Sequence, residues 1–309
     1  MSQKNQFKLS AILEALRPSQ WIKNFSLFAA AILNGQLTNP MVFIKSIDAF
    51  IVFCFLSSSS YLINDLKDAP KDRLHPFKKN RPIARGDLPE NLAVLTSFLL
   101  LIFGLSLATS INFSFFILSL VFIILQYSYS FLLKKKAIID IVGIAMFFIL
   151  RAYAGEIATG YHLPIWVMLT VIFLSLFIAS GKRRSELNTS GAKSRSALEG
   201  YGKSLLNFYI TMFGVCTLIG YAMFTFFEEP IHFEGLIHSF LEENIPNALG
   251  RKWYMLTLLP VIFGIMRYGQ IIFEMQEGER PERVITTDIP LILSVVSWGL
   301  IIITIIYVL

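Results

Sequence analysis

The chain has 309 residues, 55% of them apolar and 16% charged, with a net charge of +6. A soluble domain of this length needs more polar surface, and here the charges sit in short blocks between apolar runs of about 20 residues, the length that crosses a hydrocarbon core of roughly 30 Å. Lipid cannot satisfy free backbone amides, so the runs are expected as helices and the basic excess as loops at a membrane surface, which sets nucleic acid aside as a partner.

Nine spans are expected, at 22–38, 42–64, 89–109, 112–132, 138–158, 164–181, 204–227, 254–273 and 288–308. This predicts an all-α integral membrane bundle, a single polytopic domain over residues 1–309. Asn34, Gly35 and Gln36 interrupt the first span. Its basic start followed by the apolar 25–33 also matches a signal peptide, against which the polar 21–24 segment counts. Cys54 and Cys216 fall in apolar runs far apart and read as packing residues without a disulfide.

Of the 27 lysines and arginines, 23 fall in the N-terminal segment and at the loops after even-numbered spans. The loop 228–252 holds five glutamates and two basic residues. The positive-inside rule then predicts a multi-pass protein of the cell (inner) membrane, with its N-terminus cytoplasmic and, after nine spans, its C-terminus outside. Three stretches on the cytoplasmic side, 65–88, 182–203 and 274–287, are long enough to do chemistry.

The second span runs out through Asn64, Asp65, Asp68 and Asp72. Spacings of three and four put Asp65, Asp68 and Asp72 on one helical face, with Pro70 bending the last turn. Such a row repels itself unless a cation sits there. Mg²⁺ fits, since it is usually held by one or two carboxylates while substrate phosphates and waters complete its shell. A solvated helix end neutralised by Lys67, Lys71 and Arg73 is the plainer explanation. Against it, Arg73, His75, Lys78, Lys79, Arg81 and Arg85 follow in a loop stiffened by Pro76, Pro82 and Gly86. Carboxylates for a metal beside guanidinium and ammonium groups for phosphate oxygens are what a metal–diphosphate site needs.

Further along, Lys134, Lys135 and Lys136 form a charge run that surface anchoring explains in part. Arg151 lies inside the fifth span, where an ionisable residue is costly and usually functional. It is expected either to face the cytoplasmic cavity or to pair with Asp140, about three helical turns earlier. Lys182, Arg183 and Arg184 after the sixth span read as a positive-inside anchor or as an anion site. Arg267 and Tyr268 end the eighth span and suit a lipid phosphate or simple anchoring. His75 is a base or a turn former, and the 28 phenylalanines suit a prenyl groove or plain lipid contact.

The run from Asn64 and Asp65 through Asp68 to Asp72 resembles the first aspartate motif of the UbiA-type intramembrane transferases, and the resemblance extends over nearly the whole chain. Most members of that family transfer a prenyl group from its diphosphate to an aromatic acceptor, using Mg²⁺. One branch is more similar still. Arg17-Pro-Ser-Gln-Trp-Ile-Lys-Asn24, Asp72-Arg-Leu-His-Pro-Phe-Lys78, Arg81-Pro-Ile-Ala-Arg-Gly86, Tyr129-Ser-Phe-Leu-Leu-Lys134 leading to Asp140, Arg151-Ala-Tyr-Ala-Gly155 and Gly181-Lys-Arg-Arg-Ser-Glu-Leu187 together resemble the decaprenyl-phosphate phosphoribosyltransferases.

This resemblance implies a nine-helix bundle that joins 5-phosphoribosyl diphosphate to a polyprenyl phosphate, releasing diphosphate, for a cell-wall arabinan or other glycan precursor. It implies Mg²⁺ on Asn64, Asp65, Asp68 and Asp72, with Asp65, Asp68, Asp72 and Asp140 catalytic. Substrate contacts are expected from Lys23, Asn24, Arg73, Lys78, Arg81, Tyr129, Lys134, Arg151, Lys182, Arg183, Glu186 and Arg267. Membrane lipid is a further partner, and self-association is left open.

Ordinary prenyltransferases of the family carry a second aspartate motif after the sixth span, where this chain has Lys182-Arg183-Arg184-Ser185-Glu186. Cations there suit the 5-phosphate of phosphoribosyl diphosphate, which a prenyl diphosphate lacks. The acceptor phosphate is already ionised near neutral pH, so its attack at ribose C1 needs no strong base. The alternative is a Mg-dependent prenyltransferase acting on a quinone, haem or chlorophyll precursor. A transporter or lipid-binding protein would instead place ionisable residues deep in several spans.

Overall fold

The computed structural model describes residues 9–74, 78–190, 196–229, 243–244, 250–275, 278 and 281–308, and every extended element among them is helical. A short helix α1 (Leu9–Leu16) precedes a 3₁₀ segment, Pro18–Phe28, and a five-residue helix α2 (Ala29–Leu33). The helices α3 (Pro40–Asp72), α5 (Glu90–Ile111), α6 (Phe113–Phe131), α7 (Ile139–Thr159), α8 (Ile165–Ser190) and α10 (Lys203–Phe227) follow, with one-turn helices α4 (Pro82–Arg85) and α9 (Ser196–Glu199) between them. The chain then makes a pass over Trp253–Met275, whose central part is α11 (Leu258–Gln270), turns through α12 (Pro281–Thr287) and ends in α13 (Ile289–Tyr307).

Eight described helices are long and apolar enough to cross a membrane. The difference from nine regular spans lies at the first. Arg17 takes a left-handed turn (φ 55°) and Pro18 opens the 3₁₀ segment. Asn34 and Gly35, the latter at φ 67°, then stop α2 after five residues. The broken segment nevertheless runs about 30 Å, from the rises of 3₁₀ and α turns. At one end Arg17 reaches Asp65; at the other the Asn34 side chain donates to the His162 carbonyl (2.8 Å) and the Leu37 amide to the Tyr307 hydroxyl (3.1 Å). It therefore accompanies the eight long helices from one end of the bundle to the other.

Gly155 makes this packing fit: a Cβ there would stand 2.3 Å from the Leu27 carbonyl oxygen. Ala152, Ala154 and Ala158 are buried on the same helix. Small residues of this kind let backbones approach closely where lipid supplies no hydrophobic force between helices.

Helix α3 has 33 residues, about 50 Å of helix against a hydrocarbon core of roughly 30 Å, so its acidic end projects beyond that core. Its middle carries four buried serines, Ser57 to Ser60. The Ser59 hydroxyl donates to the Ser97 carbonyl (2.9 Å) and also meets the Ser97 and Tyr127 hydroxyls, which ties α3 to α5 and α6. Beside them Phe53, Phe115, Phe122 and Phe147 form the apolar core, with the Phe53 and Phe122 rings 4.6 Å apart. A second core, built by α10, the pass over Trp253–Met275 and α13, gathers Tyr221, Phe224, Tyr254 and Ile302.

Candidate active site

The acidic end of α3, the ends of α6 and α8, the start of α7, the 3₁₀ segment and α12 surround one cavity of about 1130 Å³. That exceeds the volume of roughly 300–1,000 Å³ of an ordinary small-molecule pocket and has room for two substrates. Eleven lysines and arginines and six carboxylates stand among its described lining residues.

Each side chain of the acid motif faces a cation. Asp65, 3% exposed, accepts from Arg17 Nη2 through both oxygens (2.6 and 2.7 Å) and from Arg81 Nη1 (3.0 Å). Asp72 accepts from the same Arg81 nitrogen at 2.6 Å. Lys134 Nζ donates to Asn64 Oδ1 and to both oxygens of Asp68 at 2.8–2.9 Å. Three side-chain oxygens thus converge on one ammonium, and two carboxylates on one guanidinium nitrogen.

An oxygen-only set that gathers a cation suits a hard metal such as Mg²⁺. Among the described residues no three carboxylate, imidazole or thiol groups share one point. A metal shell here would therefore be completed by substrate phosphate and water, the usual condition of Mg²⁺.

Across the cavity Lys182 and Glu186 project from α8 and Glu282 from α12. Lys23 Nζ lies 3.3 Å from a Glu282 oxygen. Burial alone would raise the Glu282 carboxyl, but the Lys23 and Lys182 ammonium groups outweigh it and hold it at about 2. Lys182 itself makes no hydrogen bond or ion pair among the described residues.

Arg183 does not reach this wall. Its side chain is 0% exposed; Nε pairs with Asp140 (2.5 Å), Nη1 with Glu186, and Nη2 donates to the Tyr129 hydroxyl (2.7 Å). Asp140, equally buried, also accepts from the Tyr201 hydroxyl at 2.6 Å. Burial, and then the hydrogen bond to Asp140, push the Tyr201 phenol well above its usual range. Arg183 is thus a hub that fixes Tyr129 and Glu186, both of which line the cavity.

The floor of the cavity carries Arg151 with Phe147 and Phe148. Arg151 does not pair with Asp140, whose charge Arg183 already meets.

Of the residues expected at the site, Lys23, Asn64, Asp65, Asp68, Asp72, Lys78, Arg81, Tyr129, Lys134, Arg151, Lys182 and Glu186 line the cavity. Five expected contacts stand off its wall, each for a visible reason. Asp140 and Arg183 neutralise one another behind it. Asn24 is buried, donating to Cys54 and accepting from Arg151. Arg73 follows Asp72 onto the outer face, where Nε donates to the Ala84 carbonyl (3.3 Å) and Nη2 lies 3.7 Å from Glu90. Arg267 closes its fork on Asp288 (2.8 and 3.1 Å) and Gln270 (2.7 Å). His75 and Arg280 lie outside the described residues.

Arg17, Gln20, Glu282, Arg283 and Thr286 also line the cavity, beyond the contacts expected from the sequence. The only sequence signal for the last three was the length of the loop 274–287.

Residues 25–233 match the UbiA prenyltransferase family. The chain is 35% identical over 297 residues to the decaprenyl-phosphate phosphoribosyltransferase of Mycolicibacterium smegmatis, covering 94% of this chain and 90% of that one. It is 34% identical over 304 residues to the protein of the same name from Corynebacterium glutamicum, covering 96% and 87%. In three dimensions it resembles a UbiA homolog from Archaeoglobus fulgidus bound to GPP and Mg²⁺, with a TM-score of 0.70 at 22% identity over 95% of this chain and 99% of that one. The chain belongs to the UbiA prenyltransferase family, and is a multi-pass membrane protein and an enzyme of that type.

Proposed function

We propose that the protein transfers the 5-phosphoribosyl group of phosphoribosyl diphosphate to a polyprenyl phosphate of the decaprenyl type, releasing diphosphate. Charge supports this assignment most directly: eleven cationic side chains against six carboxylates stand among the described residues of the cavity wall, an excess suited to two phosphorylated substrates at once. Relatives 31–35% identical over nearly the whole chain carry the matching name. Prenyl transfer to an aromatic acceptor would call for a second acid cluster after the sixth span, and the cavity wall there presents Lys182 beside a single carboxylate of α8.

In this reading Arg17, Arg81 and Lys134 lie where the donor diphosphate enters, and exchange their carboxylate partners for phosphate oxygens. Asn64, Asp65, Asp68 and Asp72 would hold Mg²⁺, which when bound there supplies Lewis-acid stabilisation of the leaving diphosphate. The bond from ribose C1 to the diphosphate oxygen breaks with that oxygen keeping the electron pair, and the ribose passes through oxocarbenium-like charge. An acceptor phosphate oxygen forms the new bond to C1. Because that oxygen arrives ionised, the chain has no proton to remove, and its work is to bind and orient. Lys23 and Lys182 hold a phosphate on the wall opposite the acid row. Purified protein given Mg²⁺ and phosphoribosyl diphosphate should release diphosphate only when polyprenyl phosphate is added; release at the same rate without the lipid would contradict transfer.

We place the acid end in the cytoplasm at the cell (inner) membrane, on the distribution of basic residues. The segments 65–88, 182–203 and 274–287 then serve as its cytoplasmic active-site loops. Reporter fusions to the two termini should report opposite sides, the C-terminus outside. Two ends on one side would remove the broken segment as a ninth pass.

A further inference from the structure

Arg151 sits deep in α7 and is 2% exposed, yet it lines the cavity floor. All its partners are neutral. Nε donates to Asn24 Oδ1 (2.7 Å), Nη1 to the Phe147 carbonyl (2.8 Å) and Nη2 to Ser57 Oγ (3.1 Å). The guanidinium carbon stands 4.9 Å from the Phe122 ring centre and 5.9 Å from that of Phe148. Among the described residues no carboxylate pairs with it. Asp140, at the start of the same helix, is taken by Arg183 and Tyr201, and Glu156, past it, accepts from the Leu163 amide.

A buried charge without a counter-ion is strongly unfavourable, most of all at membrane depth. A guanidinium has five N–H donors in a planar fork; three hydrogen bonds are made here, so part of the fork has no acceptor among the described residues. Such a group persists where a bound anion supplies the missing charge, and the planar fork suits phosphate oxygens. Ser57, which receives one of the three bonds, precedes Asn64 by seven residues on α3, about 10 Å along the helix axis. The floor therefore lies one sugar-sized step inward of the acid row.

We propose that Arg151, oriented by Asn24 and Ser57, is the anchor of a separate phosphate subsite on the cavity floor, one that takes a phosphate monoester. This subsite rests on the phosphoribosyl-transfer reading, in which three anionic groups share one cavity. The acid row and its cations take the donor diphosphate, Lys23 and Lys182 face one monoester, and Arg151 takes the other. The donor's 5-phosphate and the lipid's phosphate have the same chemistry, and binding measurements separate them.

The test uses the full chain in detergent, as wild type, Arg151→Gln and Arg151→Lys, with ribose 5-phosphate, a short-chain polyprenyl phosphate and inorganic diphosphate as separate probes. Arg151→Gln should weaken one of the two monoesters by about ten- to a hundredfold, with Arg151→Lys between it and wild type, while diphosphate binding stays within about twofold. Loss confined to ribose 5-phosphate assigns the floor to the donor; loss confined to the polyprenyl phosphate assigns it to the acceptor. Melting without ligand should change little: Arg151→Gln removes a charge that has no counter-ion to leave behind, and Arg151→Lys keeps it. The thermal stabilisation given by the affected monoester should disappear in Arg151→Gln and be reduced in Arg151→Lys. If Arg151→Gln does not fold, Arg151→Lys carries the comparison. Both monoesters binding the variants as they bind wild type, with a lowered melting temperature, would make Arg151 a structural residue and overturn the subsite. Wild type that binds ribose 5-phosphate through Arg151 but transfers no phosphoribose would keep the subsite and defeat the function instead.

Discussion

Asp68→Asn should lower turnover by more than about a hundredfold, the scale of removing one group aimed at charge developing in the transition state, while the protein stays folded in detergent. The two halves of that expectation come from the same geometry. Among the described residues Asp68 accepts hydrogen bonds only from Lys134, and its side chain is 27% exposed, so folding depends little on its charge. Its two oxygens and that of Asn64 nonetheless converge on a single ammonium. Asp65→Asn should lose as much activity and also loosen the start of the chain, because Asp65 holds both Arg17 and Arg81. Diphosphate release and a melting curve on the same samples check both halves. Full activity of the wild type in a strong chelator would remove the metal from the account.

Arg183→Ala and Lys182→Ala should fail in different ways, although the two residues are neighbours. Arg183 is buried against Asp140, Glu186 and Tyr129. Removing it leaves an uncompensated buried carboxylate, a change that costs about 3–5 kcal/mol. Arg183→Ala should therefore melt far below wild type. Lys182 lines the cavity, and Lys182→Ala should fold normally and raise the requirement for a single substrate by about ten- to a hundredfold, as expected for one charged hydrogen-bond partner lost. That substrate is the donor if its 5-phosphate lies on this wall and the acceptor if the lipid phosphate does. Melting curves with separate KM values for the two substrates check the contrast. An Arg183→Ala protein that melts like wild type and loses only donor affinity would restore Arg183 to the cavity wall.

Elements that depend on local pattern were legible in the chain. Runs of apolar residues between charged blocks marked the eight long helices, and the three- and four-residue spacings of Asp65, Asp68 and Asp72 put them on one face, as found. The first span is less regular than its composition suggests. Composition over 22–38 is apolar enough for a helix, but the left-handed Arg17, Pro18 and the stop at Asn34 and Gly35 divide it into 3₁₀ and α pieces.

Pairings between distant helices were not legible. Asp140 and Arg183 meet from α7 and α8, and no spacing rule reaches across 43 positions, so both looked available for substrate. Arg267 looked like a lipid-phosphate ligand for the same reason, and Asp288, on the far side of a loop, takes it. Conversely, Glu282 gave no motif, yet α12 brings it to Lys23 and beside Lys182 on the cavity wall.

The central claim is the identity of the group transferred, and product analysis in a mixture tests it most directly. Purified protein would be given Mg²⁺, phosphoribosyl diphosphate and polyprenyl phosphate together with a prenyl diphosphate and an aromatic acceptor, and the lipid products identified by mass spectrometry. The account predicts polyprenyl phosphate carrying one phosphoribosyl group, absent from the Asp68→Asn protein. A prenylated aromatic acceptor, with no phosphoribosylated lipid, would contradict it.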